Sequence, residues 1–179
     1  MFDRTLSYST ALVCGGLFAL AVAGFATANP TSPEDQALAQ LRKTVAPYRN
    51  LSAAQKAGYK TIVSHPTTGE TCLHDAQMGG MGVHYLNTAL VDDTVVVTKP
   101  EIVIYEPQKD GSLKFVGVEY IIPFKIRAET ATPPVLFGQQ FKKNDTFQLW
   151  GLHAWVGRNN PSGTFADYNP TVSCQFASK

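Results

Sequence analysis

Apolar residues recur at two different periods along this chain, and the change of period divides it. After Thr31-Ser32-Pro33-Glu34-Asp35, the positions Ala37, Leu38, Leu41 and Val45 return at helical spacing. Ser32 can cap such a helix, Pro33 suits its first position, and the two acids complement the positive end of the helix dipole. Pro47 closes this helix. Ser52-Ala53-Ala54-Gln55 then predicts a second one as a capping box, with Leu51 as a staple and Gly58 as the stop.

From Tyr59 onward the texture becomes β-branched and aromatic, punctuated by Gly, Pro and Asx, which is the pattern of strands. The clearest hairpin runs out through 101–105, turns at Gln108-Lys109-Asp110-Gly111 and returns through 113–122. Segments 95–98 and 147–156 predict further strands, whereas 130–134 and 159–163 are loops by composition. The expected fold class is therefore α+β: an N-terminal helical pair packed on a mainly antiparallel sheet of about five strands, open or curled toward a barrel.

Ahead of the first helix the chain reads differently. Arg4 precedes an uncharged apolar run over 11–25, and Ala26-Thr27-Ala28 stands before Asn29-Pro30. That is the layout of a cleavable export signal over residues 1–28, leaving a single globular domain at 29–179, in the periplasm or outside the cell. A retained anchor would need about 20 apolar residues, more than the run supplies, so no stable membrane span is expected after cleavage. Lipidation at Cys14 would call for a small residue where Val13 stands.

Export changes the meaning of the cysteines. Of the three, Cys14 falls in the signal, which leaves Cys72 and Cys174 as an even pair in an oxidising compartment, and a disulfide is the expected outcome. Two thiolate metal ligands are the competing reading. The net charge of +1 comes with no basic stripe, so nucleic acid is not an expected partner.

The segment from Cys72 to Tyr85 concentrates unusual chemistry: His74, Met78, Met81 and His84 lie around three glycines, which free the backbone to approach a ligand or another strand. Thioether with imidazole favours copper, and imidazole alone suits zinc, copper, iron or nickel. The alternative is that both methionines fill irregular core gaps. Strand alternation puts His153 on a face with Phe147, Leu149, Gly151 and Trp155, and puts Glu119 on a face with Leu113, Phe115 and Ile121. A polar group stranded on an apolar face needs a partner. Were both faces turned inward, Glu119, His153 and His84 would form a His-His-carboxylate set able to hold a divalent metal. The same residues would equally make a buried hydrogen-bonded pair, or Glu119 would bond Arg127 or a tyrosine. Around this set, Tyr85, Trp155, Asn160, Asp167 and Tyr168 are candidates to line a pocket. No G-x-S-x-G elbow and no glycine-rich nucleotide fingerprint is present.

Several of these segments, namely Gly80-Met81-Gly82-Val83-His84-Tyr85, Gly117-Val118-Glu119-Tyr120, Pro133-Pro134-Val135-Leu136-Phe137-Gly138-Gln139, Leu152-His153-Ala154-Trp155 and Asn160-Pro161-Ser162-Gly163-Thr164-Phe165-Ala166-Asp167-Tyr168-Asn169-Pro170, resemble a family of exported bacterial proteins of uncharacterised function. The resemblance implies one exported domain and carries no activity. The leading expectation is an exported domain binding a transition metal, copper or zinc, or a small ligand through His84, His153 and Glu119, with His74, Met78 and Met81 as soft or outer partners. The rivals are a small enzyme using Glu119 and His153 as an acid-base pair, and a cell-envelope interaction module presenting Phe165, Tyr168 and Trp155.

Overall fold

The computed structural model describes residues 32–178, so the expected export signal lies outside the described residues. The described residues open with α1 (Pro33–Val45), continue through a 3-10 turn (Ala46–Arg49) and enter α2 (Leu51–Lys56). Strands β1 (Thr61–Ile62), β2 (Cys72–Asp75), β3 (Gly79–Leu86), β4 (Ile102–Pro107) and β5 (Leu113–Pro123) follow. After them come β6 (Val135–Leu136), β7 (Gln139–Gln140), β8 (Lys142–Asn144) and β9 (Leu149–Ala154). The architecture is α+β. An antiparallel sheet runs in the order β1-β3-β4-β5-β9-β8, with β2 also on β3, and β6 and β7 form a separate ribbon.

The start of α1 follows its sequence. Ser32 Oγ accepts the Asp35 amide while the Asp35 carboxylate accepts from Ser32, which completes a capping box. Leu38, Leu41 and Val45 are buried. The second helix starts two residues earlier than Ser52 implies, because Asn50 Oδ1 accepts the Ser52 amide and takes the capping position. Gly58 stops it with φ of 106°. Leu38, Leu41 and Val45 share a core with Val103, Tyr105, Val118, Tyr120, Ile122 and Leu152. The helices thus cover one face of the sheet, and the Tyr105 hydroxyl, donating to the Tyr48 carbonyl at 2.6 Å, fixes them there.

The sheet has more strands than expected and stays open rather than closing into a barrel. The extra strands β1, β2 and β8 are too short to show a period. The glycine-rich segment from Cys72 to Tyr85 forms the hairpin β2–β3. Asp75 Oδ1 accepts the amides of Gln77 and Met78 at its tip, both at 2.8 Å. Segment 95–98 is not a strand: its Val97 carbonyl is taken by the Tyr120 hydroxyl, and Val95 and Val97 pack on the core while Val96 is exposed. The last long strand is shorter than expected because the Asn144 side chain holds Phe147 in a turn.

The second face of the sheet is covered as well. Ile102, Ile104, Val116, Ile121 and Trp155 pack there with Val172, which belongs to the C-terminal segment. That segment crosses the face as a strap. Gly80 exchanges backbone hydrogen bonds with Asn169, and a Cβ at Gly79 or Gly80 would lie 2.5 Å or 2.7 Å from strap backbone. Arg158 and the Ser173 amide both reach the buried Glu106 carboxylate. The disulfide Cys72–Cys174 ties the end of the strap to β2.

That bond closes a loop with a sequence separation of 102 residues. Reducing it, or making Cys174→Ser, is expected to lower unfolding free energy by about 3 to 5 kcal/mol through the freed chain entropy of the unfolded state. Denaturant titration with and without reductant measures this, and coincident curves would show that the strap holds without the bond.

Candidate metal centre

Two bulges decide what lies between the sheet and the strap. Between β4 and β5, Ile104 pairs with Gly117 and Tyr105 with Phe115, so Val116 is an extra residue. The alternation changes phase there. Phe115 joins Val118 and Tyr120 on the helix side, while Glu119 and Ile121 turn to the strap side. Glu119 therefore shares a face with Ile121 but not with Leu113 and Phe115, as unbroken alternation would have it. In β3, Leu73 pairs with Gly82 and His74 with Gly80, leaving Met81 as the extra residue. Gly82, at φ of 96°, makes this kink, and a Cβ there would stand 2.6 Å from the Tyr105 carbonyl oxygen.

On that face β3 contributes His84, β5 contributes Glu119 and β9 contributes His153, with Glu119 and His153 directly paired in register. All three are buried. His84 Nε2 lies 3.4 Å from His153 Nε2 and 3.5 Å from Glu119 Oε2, and His153 Nδ1 lies 3.9 Å from Glu119 Oε1. One donor atom from each falls within 4.8 Å of the others. The His84 Nδ1 is 3.1 Å from the Gly82 carbonyl. A proton on Nδ1 satisfies that acceptor and leaves the Nε2 lone pair aimed into the cluster, the arrangement found behind metal-bound histidines.

The separations test whether an ion fits. With zinc to nitrogen bonds of about 2.0 to 2.1 Å in a tetrahedral shell, two ligand atoms stand about 3.3 Å apart. His84 Nε2 stands close to that spacing from both His153 Nε2 and Glu119 Oε2, while His153 and Glu119 approach each other at 3.9 Å. Gly151 makes room for it: a Cβ at that position would be 2.9 Å from Glu119 Oε1.

Burial also sets the charge. It pushes the Glu119 carboxyl up to about 8, with Asp167 and Glu101 adding to the shift, and Glu101 itself is pushed up to about 8 by burial. It pulls His84 down to about 3, helped by His153, and His153 down to about 3, helped by Lys142. The contacts have ion-pair geometry, yet without a metal the cluster is a neutral triad at pH 7: one carboxylic acid and two uncharged imidazoles.

Two cavities adjoin it. One of about 200 Å³ reaches His84 and Glu119 and is walled mostly by aliphatic side chains, among them Val63, Leu86, Ile102 and Ile121. The other, about 110 Å³, is polar and brings Asp167, Tyr168 and Lys142 beside Glu119 and His153. Met81 lines both.

The remaining candidates are scattered. His74 is exposed, and Met78, at 51 % exposure, tips the hairpin, so neither joins the three donors. Tyr85 points to the helix side, edge-on to Tyr105, because it is odd where His84 is even in β3. Trp155 is buried and stacks on His153 with ring centroids 5.9 Å apart, and its Nε1 donates to the Ala166 carbonyl. Asn160 braces the strap, accepting from the Ser162 amide and donating to the Tyr168 carbonyl. Phe165 stacks on Phe137. Of the expected aromatic interaction surface, Trp155 is buried and Phe165 and Tyr168 are half-buried. Sequence reasoning missed Lys142 and Asn144, which sit on a three-residue strand without a period, and Glu106, whose role depends on a partner in the strap. Gly151 carried a legible signal, a glycine inside an aromatic strand. Comparison with protein-family models, with curated proteins and with solved structures gives no match.

The neutral forms predict a pH profile for the metal-free protein. Unfolded carboxyls lose their protons near 4.5, while Glu119 and Glu101 hold theirs to about 8 when folded, so stability is lost as pH rises through that window. The two histidines act in reverse and cost stability as pH falls below 6.5. In chelator, Tm should fall between pH 6.5 and pH 8.5, and Glu119→Gln or Glu101→Gln should each flatten the fall. Parallel profiles for the variants and the unmodified protein would contradict the assignment.

Proposed function

We propose that this protein is an exported metal-binding domain in which His84, His153 and Glu119 hold one divalent transition-metal ion. The observation that carries the reading is the convergence of two imidazole nitrogens and one carboxylate oxygen in a buried site, with His84 backed by the Gly82 carbonyl. Two imidazoles and a carboxylate suit zinc and leave a fourth position for water or a ligand, whereas the thioethers that would select copper(I) are reduced to Met81, since Met78 lies at the exposed hairpin tip. Bound there, the ion would polarise an oxygen ligand or lower the pKa of a water.

The protein's own part is to hold the donors and exclude solvent. Gly82 orients His84, Trp155 stacks on His153, Gly151 clears space for the carboxylate, and the strap closes the face. Export is supported by the layout of residues 1–28 and by the Cys72–Cys174 disulfide, which suits an oxidising compartment. Among the described residues no helix is long and apolar enough to cross a membrane.

Elemental analysis of tag-free protein after incubation with zinc or copper and removal of the excess tests the proposal. One ion per chain is expected, with His84→Ala and His153→Ala abolishing retention. Gly151→Ala, which crowds the ends of two side chains, the Glu119 carboxylate and Leu149 Cδ1 at 3.3 Å, and no backbone, should keep the fold and weaken affinity by about tenfold or more. No retained metal in the unmodified protein would overturn the reading.

A further inference from the structure

The cavity on the His84 side has the character of a ligand site. Its polar contributors are few. His84 and Glu119 face it from the cluster, Asn144 stands at another part of the wall, and aliphatic side chains supply most of the rest. Val63, Leu86, Asn144, Phe147 and Leu149 are half-buried, so the cavity has a rim at the surface, while Ile102, Ile121 and Leu73 form a buried floor.

Size limits the occupant. An apolar cavity of about 150 Å³ accepts a benzene ring. The volume here, about 200 Å³, accommodates one ring with a small substituent. The walls favour an aromatic ring over a bare aliphatic chain, since Phe147 can meet it edge to face and the Met81 thioether can contact it. Charge limits it further: a charged group of either sign on the part of the ligand held in the chamber would be stripped of water among aliphatic side chains. A single hydroxyl is the group that His84 and Glu119, or an ion held by them, would meet at the inner end.

Resting on the metal-centre reading, we infer that this cavity binds a small monocyclic phenol, ring in the apolar chamber and oxygen directed to the His84–Glu119 end at the open position of the ion. The polar cavity on the His153 side, with Lys142 and Asp167 paired at 2.9 Å, adjoins the same cluster.

The test is calorimetric titration of phenol into zinc-loaded protein, with toluene as the ring without oxygen. Val63→Phe fills the chamber from its half-buried rim, outside the regular strands; the Val63 amide donates to the His84 carbonyl, a backbone bond the substitution keeps, and its side chain is not a metal ligand. His153→Ala removes a metal ligand that does not line the chamber. Expected are one phenol per chain, weaker binding of toluene, and a loss of about tenfold or more in phenol affinity in Val63→Phe with zinc content unchanged. Zinc retained but phenol not bound, or bound equally by Val63→Phe, overturns this inference and leaves the metal centre standing. If no zinc is retained, the metal reading fails by itself. Phenol binding to the metal-free protein that Val63→Phe abolishes then supports the chamber as a phenol site on His84 and Glu119, and binding indifferent to that change overturns it.

Discussion

The arrangement depends on one constraint: three polar side chains stand on a sheet face from which water has been removed. Burying an imidazole or a carboxyl costs free energy unless its polar atoms find partners or give up charge. Here both happen. His84 satisfies the Gly82 carbonyl, the three donors face one another, and burial drives all three to their neutral forms. A neutral triad is far cheaper to enclose than an ion pair, so the site can be preformed without an occupant.

The enclosure comes from the C-terminal strap, and the strap is held from several sides. Backbone hydrogen bonds join Gly80 to Asn169, Glu106 gathers Arg158 and the Ser173 amide, Val172 packs among the isoleucines, and the disulfide fastens the end. The glycines of the β2–β3 hairpin make this approach sterically open, since a side chain at Gly79 or Gly80 would strike the strap. Their first service is therefore to strap packing, and Gly82 serves the site by turning its carbonyl under His84.

Much of this was legible in the sequence for a physical reason: strong periods and single-residue signals are local. The capping box of α1, the hairpin turn at Gly111 and the stop at Gly58 depend on neighbours only a few residues away. The pairing of His153 with Glu119 followed from two polar residues stranded on apolar strands. What escaped was set at long range. The bulge at Val116 moved Phe115 to the other face from Glu119, and nothing in the local alternation announces an extra residue. Segment 95–98 has strand composition but spends its carbonyl on Tyr120. His74 and Met78 lie close in sequence to His84, yet the hairpin tip carries them to the surface.

Those same irregularities give the site its asymmetry. The phase change at Val116 lets one strand place Phe115 and Tyr120 in the helix core while turning Glu119 outward, and the extra residue Met81 bends β3 so that its side chain borders both cavities. Three donors on three strands of a flat, regular sheet would be flanked alike on either side. Here the His84 side is aliphatic and the His153 side holds Asp167, Tyr168 and Lys142. An ion at the cluster would be held from the sheet, with an apolar chamber on one hand and a polar, charged one on the other. The apolar chamber would give a second molecule room beside such an ion, and the polar one would offer partners for water.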